Sequence, residues 1–71
     1  MIKNKPLEGS TWLSPDGMSF YIEYVSEATD GFYTVEIIDT GSKDDPFAEG
    51  DLLTSNEWLE MVNRFHLSPQ A

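Results

Sequence analysis

The sequence predicts an α+β domain: a small, curved antiparallel sheet of three to four strands, SH3-like or an open barrel, closed by one C-terminal helix. Three observations point there. Residues 54–65 carry a helix start signal followed by an apolar stripe at helical spacing. Two aromatic, β-branched runs of equal length, 18–25 and 32–39, flank a short loop. The chain has 71 residues and no cysteine, which leaves room for a single core with no covalent staple. A flat two-layer arrangement, with the helix laid across the sheet, satisfies the same pattern.

Residues 1–8 hold two of the four basic residues and a proline, and read as a flexible N-terminal arm. Residues 9–71 make up the single domain. Ser10 to Leu13 reads as a short strand. Ser14-Pro15-Asp16-Gly17 is a turn signal: Pro presets φ, Asp tolerates turn geometry and Gly accepts a positive φ. Met18 to Val25 is a strand, Ser26 to Gly31 a loop ending in Asp-Gly, and Phe32 to Asp39 a second long strand. The register that buries an apolar face pairs Phe20 with Ile37, Ile22 with Val35 and Tyr24 with Tyr33. The opposite face then carries Tyr21, Glu23, Val25, Phe32, Thr34 and Glu36, with both glutamates in water. Thr40 to Gly50 is a polar loop, long for so small a domain. Asp51 to Leu53 is a brief last strand feeding the helix.

The helix is expected from Ser55 to His66. Thr54 and Glu57 stand at the spacing of a capping box, and Leu53 and Trp58 at that of a hydrophobic staple. Trp58, Met61, Val62 and Phe65 recur at i, i+3, i+4 and i+7 on one face. Pro69 falls beyond the end. Such a short helix is marginal alone, so its stripe must be covered. The expected core is Trp12, Phe20, Ile22, Tyr33, Val35, Ile37, Leu53, Trp58, Val62 and Phe65.

Charge narrows function more than any motif does. Thirteen acids face four bases, for a net charge of −9. Direct nucleic-acid binding and anionic membrane surfaces are poor fits, because phosphate binding needs a basic footprint. No apolar run approaches a membrane span and no signal-peptide pattern is present, so a soluble, cytoplasmic protein is expected. No catalytic site, metal site or cofactor is expected. Without cysteine there is no thiolate ligand, and His66 is the only histidine. No phosphate loop or nucleophile motif occurs. Glu23 and Glu36 are spaced as a hydrolase carboxylate pair but lack a cleft. The loop acids do not follow the calcium-loop order.

Two binding hypotheses remain. In the first, an acidic protein-binding module presents Glu23, Glu27, Asp30, Glu36, Asp39, Asp44, Asp45, Glu49 and Asp51 to a basic protein partner. Its specific form is an inhibitor that imitates nucleic acid. In the second, a structural or self-associating domain uses exposed aromatics, with Tyr21, Phe32, Ile38 and Phe47 as candidates and a homodimer as one outcome.

The short strand with Trp12, the Ser14-Pro15-Asp16-Gly17 turn, the two aromatic strands and the Thr54-Ser55-Asn56-Glu57-Trp58 helix start together resemble small phage and prophage proteins of the β-sheet-plus-helix, SH3-like kind. That resemblance implies a role in host takeover or defence evasion, inside a bacterial host. It transfers no functional residues.

Overall fold

The computed structural model describes residues 5–27 and 30–70. Five strands form one antiparallel sheet: β1 (Thr11–Leu13), β2 (Ser19–Glu27), β3 (Tyr33–Asp39), β4 (Asp51–Thr54) and β5 (Ser68–Pro69), in the order β4-β3-β2-β1-β5. One helix, α1 (Ser55–Phe65), follows β4. The sheet is open. Its edge strands β4 and β5 lie four strand spacings apart, about 19 Å. The 11 residues of α1 span about 16 Å, so the helix carries the chain across one face from edge to edge.

The helix begins as its sequence dictates. The Thr54 side chain accepts from the Glu57 amide at 3.2 Å, and the Thr54 amide donates to Glu57 Oε1 at 2.9 Å. Trp58 and Val62 are buried, with Leu59, Met61 and Phe65 packed at the margin. The helix ends at His66, which takes a left-handed conformation (φ 55°) and donates its amide to the Val62 carbonyl. Leu67 then turns into the core and donates its own amide to Val62 O. This stop aims the chain at β1, where Ser68 and Pro69 form an edge strand that the sequence pattern did not suggest. Two residues, one of them proline, leave no strand signature.

The Ser14–Gly17 turn closes as expected. Gly17 (φ 96°) donates its amide to the Ser14 carbonyl, and Ser14 and Met18 exchange two further bonds. β2 runs two residues further than its sequence suggested, to Glu27. The β2–β3 register differs from the expected one. Phe20 pairs with Asp39, Ile22 with Ile37, Tyr24 with Glu36, and Val25 with Val35. The register slips between Ile22 and Tyr24, where Glu23 is the extra residue of a β-bulge. The bulge reverses the alternation beyond it. Ile22 and Val25 both face the helix, while Tyr24, which the expected register put on the apolar face, turns outward and is 52% exposed.

The core is Trp12, Ile22, Tyr33, Val35, Ile37, Trp58, Val62 and Leu67, with Phe20, Val25, Leu53 and Phe65 partly buried around it. Trp12 and Trp58 meet edge to face at 5.1 Å and 85°, a favoured aromatic geometry. Two polar atoms in this core, Trp12 Nε1 and Tyr33 Oη, have no hydrogen-bond partner among the described residues.

Residues 1–4 of the expected arm lie outside the described residues. Of the remainder, Pro6 is buried, and Glu8 Oε1 accepts from the Val25 amide at 3.2 Å. Lys5 pairs with Glu27 at 2.7 Å and stands 5.6 Å from the Tyr33 ring centre.

Candidate protein-binding surface

With α1 on one face, the other face of the sheet is built from the residues that alternate away from the core. Beyond the Ser68–Leu13–Ser19 row at one end, three cross-strand rows form it. Thr11, Tyr21 and Ile38 make one, Tyr24, Glu36 and Leu52 the next, and Ser26, Thr34 and Thr54 the last.

The first row is closed. Ile38, a candidate interface residue from sequence, is only 6% exposed and is withdrawn from that role. Tyr21 is half-buried, with Lys43 Nζ 4.8 Å from its ring centre. The segment after β3 therefore folds back towards this end of the face. Asp39 starts the fold-back by accepting from the Gly41 amide, ahead of a single 3-10 turn at Thr40–Ser42. Thr40 Oγ1 and Ser19 Oγ lie 2.6 Å apart and tie the turn to β2. Two backbone bonds, Asp45 to Ser42 and Ala48 to Asp45, continue the order through the segment. The Asp45 carboxylate accepts from the Phe47 amide at 2.9 Å, and Phe47 projects into water, 91% exposed.

The second row is open. Tyr24 and Leu52 are exposed, with half-buried Glu36 between them. Neither Tyr24 nor Leu52 was among the candidates from sequence. Tyr24 was hidden by the bulge. Leu52 sat in a strand too short to show which of its neighbours faced outward.

The nine candidate acids do not form one even stripe. Asp39, Asp44, Asp45, Glu49 and Asp51 gather at the β3–β4 end of the sheet, in and around the fold-back. Glu23 and Glu36 lie mid-sheet. Glu23 sits in the bulge, with its carboxylate beside Gly50. Glu27 and Asp30 lie at the far end. Asp30 occupies a left-handed position (φ 59°) in the β2–β3 turn, and Phe32, 55% exposed, follows it. Glu27 is already engaged: the Lys5 hydrogen bond and charge hold its carboxyl below the ordinary value. The three described bases are dispersed, Lys5 on Glu27, Lys43 over Tyr21 and Arg64 on the helix.

Among the described residues, no group of three or more His, Asp or Glu is placed to hold a metal ion. A groove of about 220 Å³ runs along the helix flank, lined by Glu57, Glu60, Met61, Arg64 and Phe65. It is smaller than the roughly 300–1,000 Å³ of small-molecule sites. No described helix is long and apolar enough to cross a membrane. Comparison with known proteins yields no match to a family model, a curated protein or a solved structure.

Proposed function

We propose that this chain is a non-enzymatic, acidic module that binds a basic protein partner through the side of its sheet left open by the helix. The observation supporting this reading is the Tyr24–Glu36–Leu52 row, where an aromatic and an aliphatic side chain stand in water on either side of a carboxylate. Interface centres favour large apolar side chains, and charged rims set partner choice and on-rate. Here the adjoining end of the sheet supplies five carboxylates, and Lys43, the one base near them among the described residues, lies over Tyr21. Self-association through the same surface is opposed by bringing together two chains of charge −9. A cytoplasmic setting fits this reading. The uneven spread of the acids favours a general basic partner over a duplex imitation. The narrower inhibitor form requires that the partner release bound duplex DNA when the module is added.

Selection from a displayed random peptide library tests the proposal. The expected winners combine Lys or Arg with apolar residues and lose affinity as salt rises from about 50 to 300 mM, where the screening length shortens. Tyr24→Ala should weaken them, while Asn63→Ala on the helix should not. Enrichment of neutral or acidic peptides, or winners indifferent to Tyr24→Ala, would refute it.

A further inference from the structure

The two edges of the sheet are not equivalent. β5 has two residues, and one is Pro69, which lacks an amide donor. Short length and proline are common protections of an edge strand. β4 has four residues, no proline and no bulge in its pairing with β3, and it carries Leu52 at 67% exposure. Among the described residues it pairs only with β3.

Which backbone groups β4 turns to that edge follows from the ladder. Ile22 donates its amide to Ser10 O and accepts from the Gly9 amide, so both its polar groups face the β1 side. Ile37 stands opposite Ile22 and must therefore turn its own groups the other way, towards Asp51 of β4. Alternation then points Asp51 and Leu53 at β3, and Leu52 and Thr54 outward. The helix cap agrees independently, because the Thr54 amide is free of β3 and donates to Glu57. The outward Thr54 donor is thus already used, and the Leu52 N–H and C=O are left facing the open edge. The cap closes the edge on the helix side. An added strand can extend only the other way, past Gly50 and Glu49 towards Asp45 and Asp44.

We infer that β4 is a docking edge at which an extended, basic segment of the partner pairs with the Leu52 backbone, an apolar residue against Leu52 and cationic residues towards Asp51 and Glu49. Backbone pairing supplies register, and the acidic approach selects the charge. This rests on the binding-module reading and specifies how the partner docks.

The test uses a fluorescein-labelled octapeptide of alternating lysine and valine, its glutamate–valine counterpart, and a version N-methylated on alternate residues. Leu52→Pro removes the outward donor while sparing every bond to β3, and Leu52→Ala removes only the side chain. Leu53→Pro, whose amide faces β3, is the destabilising control. The expected result is binding of the lysine peptide alone, weakened by Leu52→Pro or by N-methylation about three- to tenfold beyond Leu52→Ala, as loss of a backbone bond requires. The Leu52 amide should also become protected from hydrogen exchange in the wild-type complex, a readout that stands even if Leu52→Pro fails to fold. Equal affinities for Leu52→Pro and Leu52→Ala with an unprotected amide, or no binding of the lysine peptide by a protein that retains its library-selected basic ligands, overturns edge pairing and leaves the module reading intact. A wild-type dimer dissolved by Leu52→Pro assigns the edge to a second copy and overturns the basic segment. Absence of any basic ligand in the library selection removes the module reading itself.

Discussion

Replacing Tyr33 by phenylalanine removes one oxygen atom from the core and should stabilise the protein. Tyr33 is 2% exposed, and its hydroxyl has no hydrogen-bond partner among the described residues. In water that hydroxyl would be fully bonded. Leaving such a group buried and unpaired costs about 1–3 kcal/mol, whereas the phenyl ring keeps nearly all of the packing. The gain is large against the roughly 4–11 kcal/mol expected for a domain of this size. The pH dependence should change too. Burial raises the Tyr33 phenol above its ordinary value of 10.0. The folded state thus prefers the protonated form. The associated stability is complete below the unfolded value and is lost as pH rises through the folded one. Tyr33→Phe should flatten that alkaline limb. Urea titrations of both proteins at neutral pH and at pH above 10 measure both effects. A loss of more than about 1 kcal/mol at neutral pH would mean that the hydroxyl has a partner and would refute its being unpaired.

Three further outcomes follow from other contacts. Thr54→Ala should cost about 1 kcal/mol of unfolding free energy, and Thr54→Ala with Glu57→Ala should cost less than the two singles summed, because each side chain caps the other's amide; additive denaturation energies would show that the two bonds are independent. Gly50→Ala should destabilise by about 1–3 kcal/mol, since an added Cβ would stand 2.5 Å from the Ile37 carbonyl and 2.8 Å from Glu23 Oε1; trimming Glu23 as well should not restore the loss, because the carbonyl cannot move aside. Lys5→Met should raise the Glu27 titration midpoint, read by NMR, towards the ordinary carboxylate value. Because the folded value is depressed, the pair contributes above the ordinary value and is lost as pH falls through the folded one; an unmoved midpoint would remove Lys5 as the cause.

The helix was legible in full because its signals are local. Thr54, Glu57 and the Trp58-to-Phe65 stripe specify cap, face and length without reference to the rest of the chain. Strands β1 to β4 were legible as segments for the same reason, and β5 was not, because Ser68 and Pro69 leave no strand signature. The β2–β3 register was not legible: Phe20 already meets Asp39 rather than Ile37, two residues from the expected pairing, and the further slip depends on one residue with no distinguishing mark. Glu23 is an ordinary outward residue under strict alternation, and only the packing of both Ile22 and Val25 against the helix shows that it is an insertion. That single slip moved Tyr24 off the face expected to be apolar and buried. Ile38 erred in the opposite direction. Its parity correctly placed it away from the helix, but the fold-back that encloses that end of the sheet is held by Asp39, Thr40 and Lys43 through contacts no periodicity encodes. The candidate surface was therefore legible in its charge and not in its apolar centre.

A basic partner is proposed to dock on the face away from α1 and along the β4 edge. Amide chemical-shift mapping with a library-selected basic peptide tests it most directly. The expected shifts concentrate at Tyr24, Glu36 and Leu52, with the helix flank of Glu60 and Arg64 unmoved. Shifts centred on that flank, with the Tyr24 row silent, would contradict it.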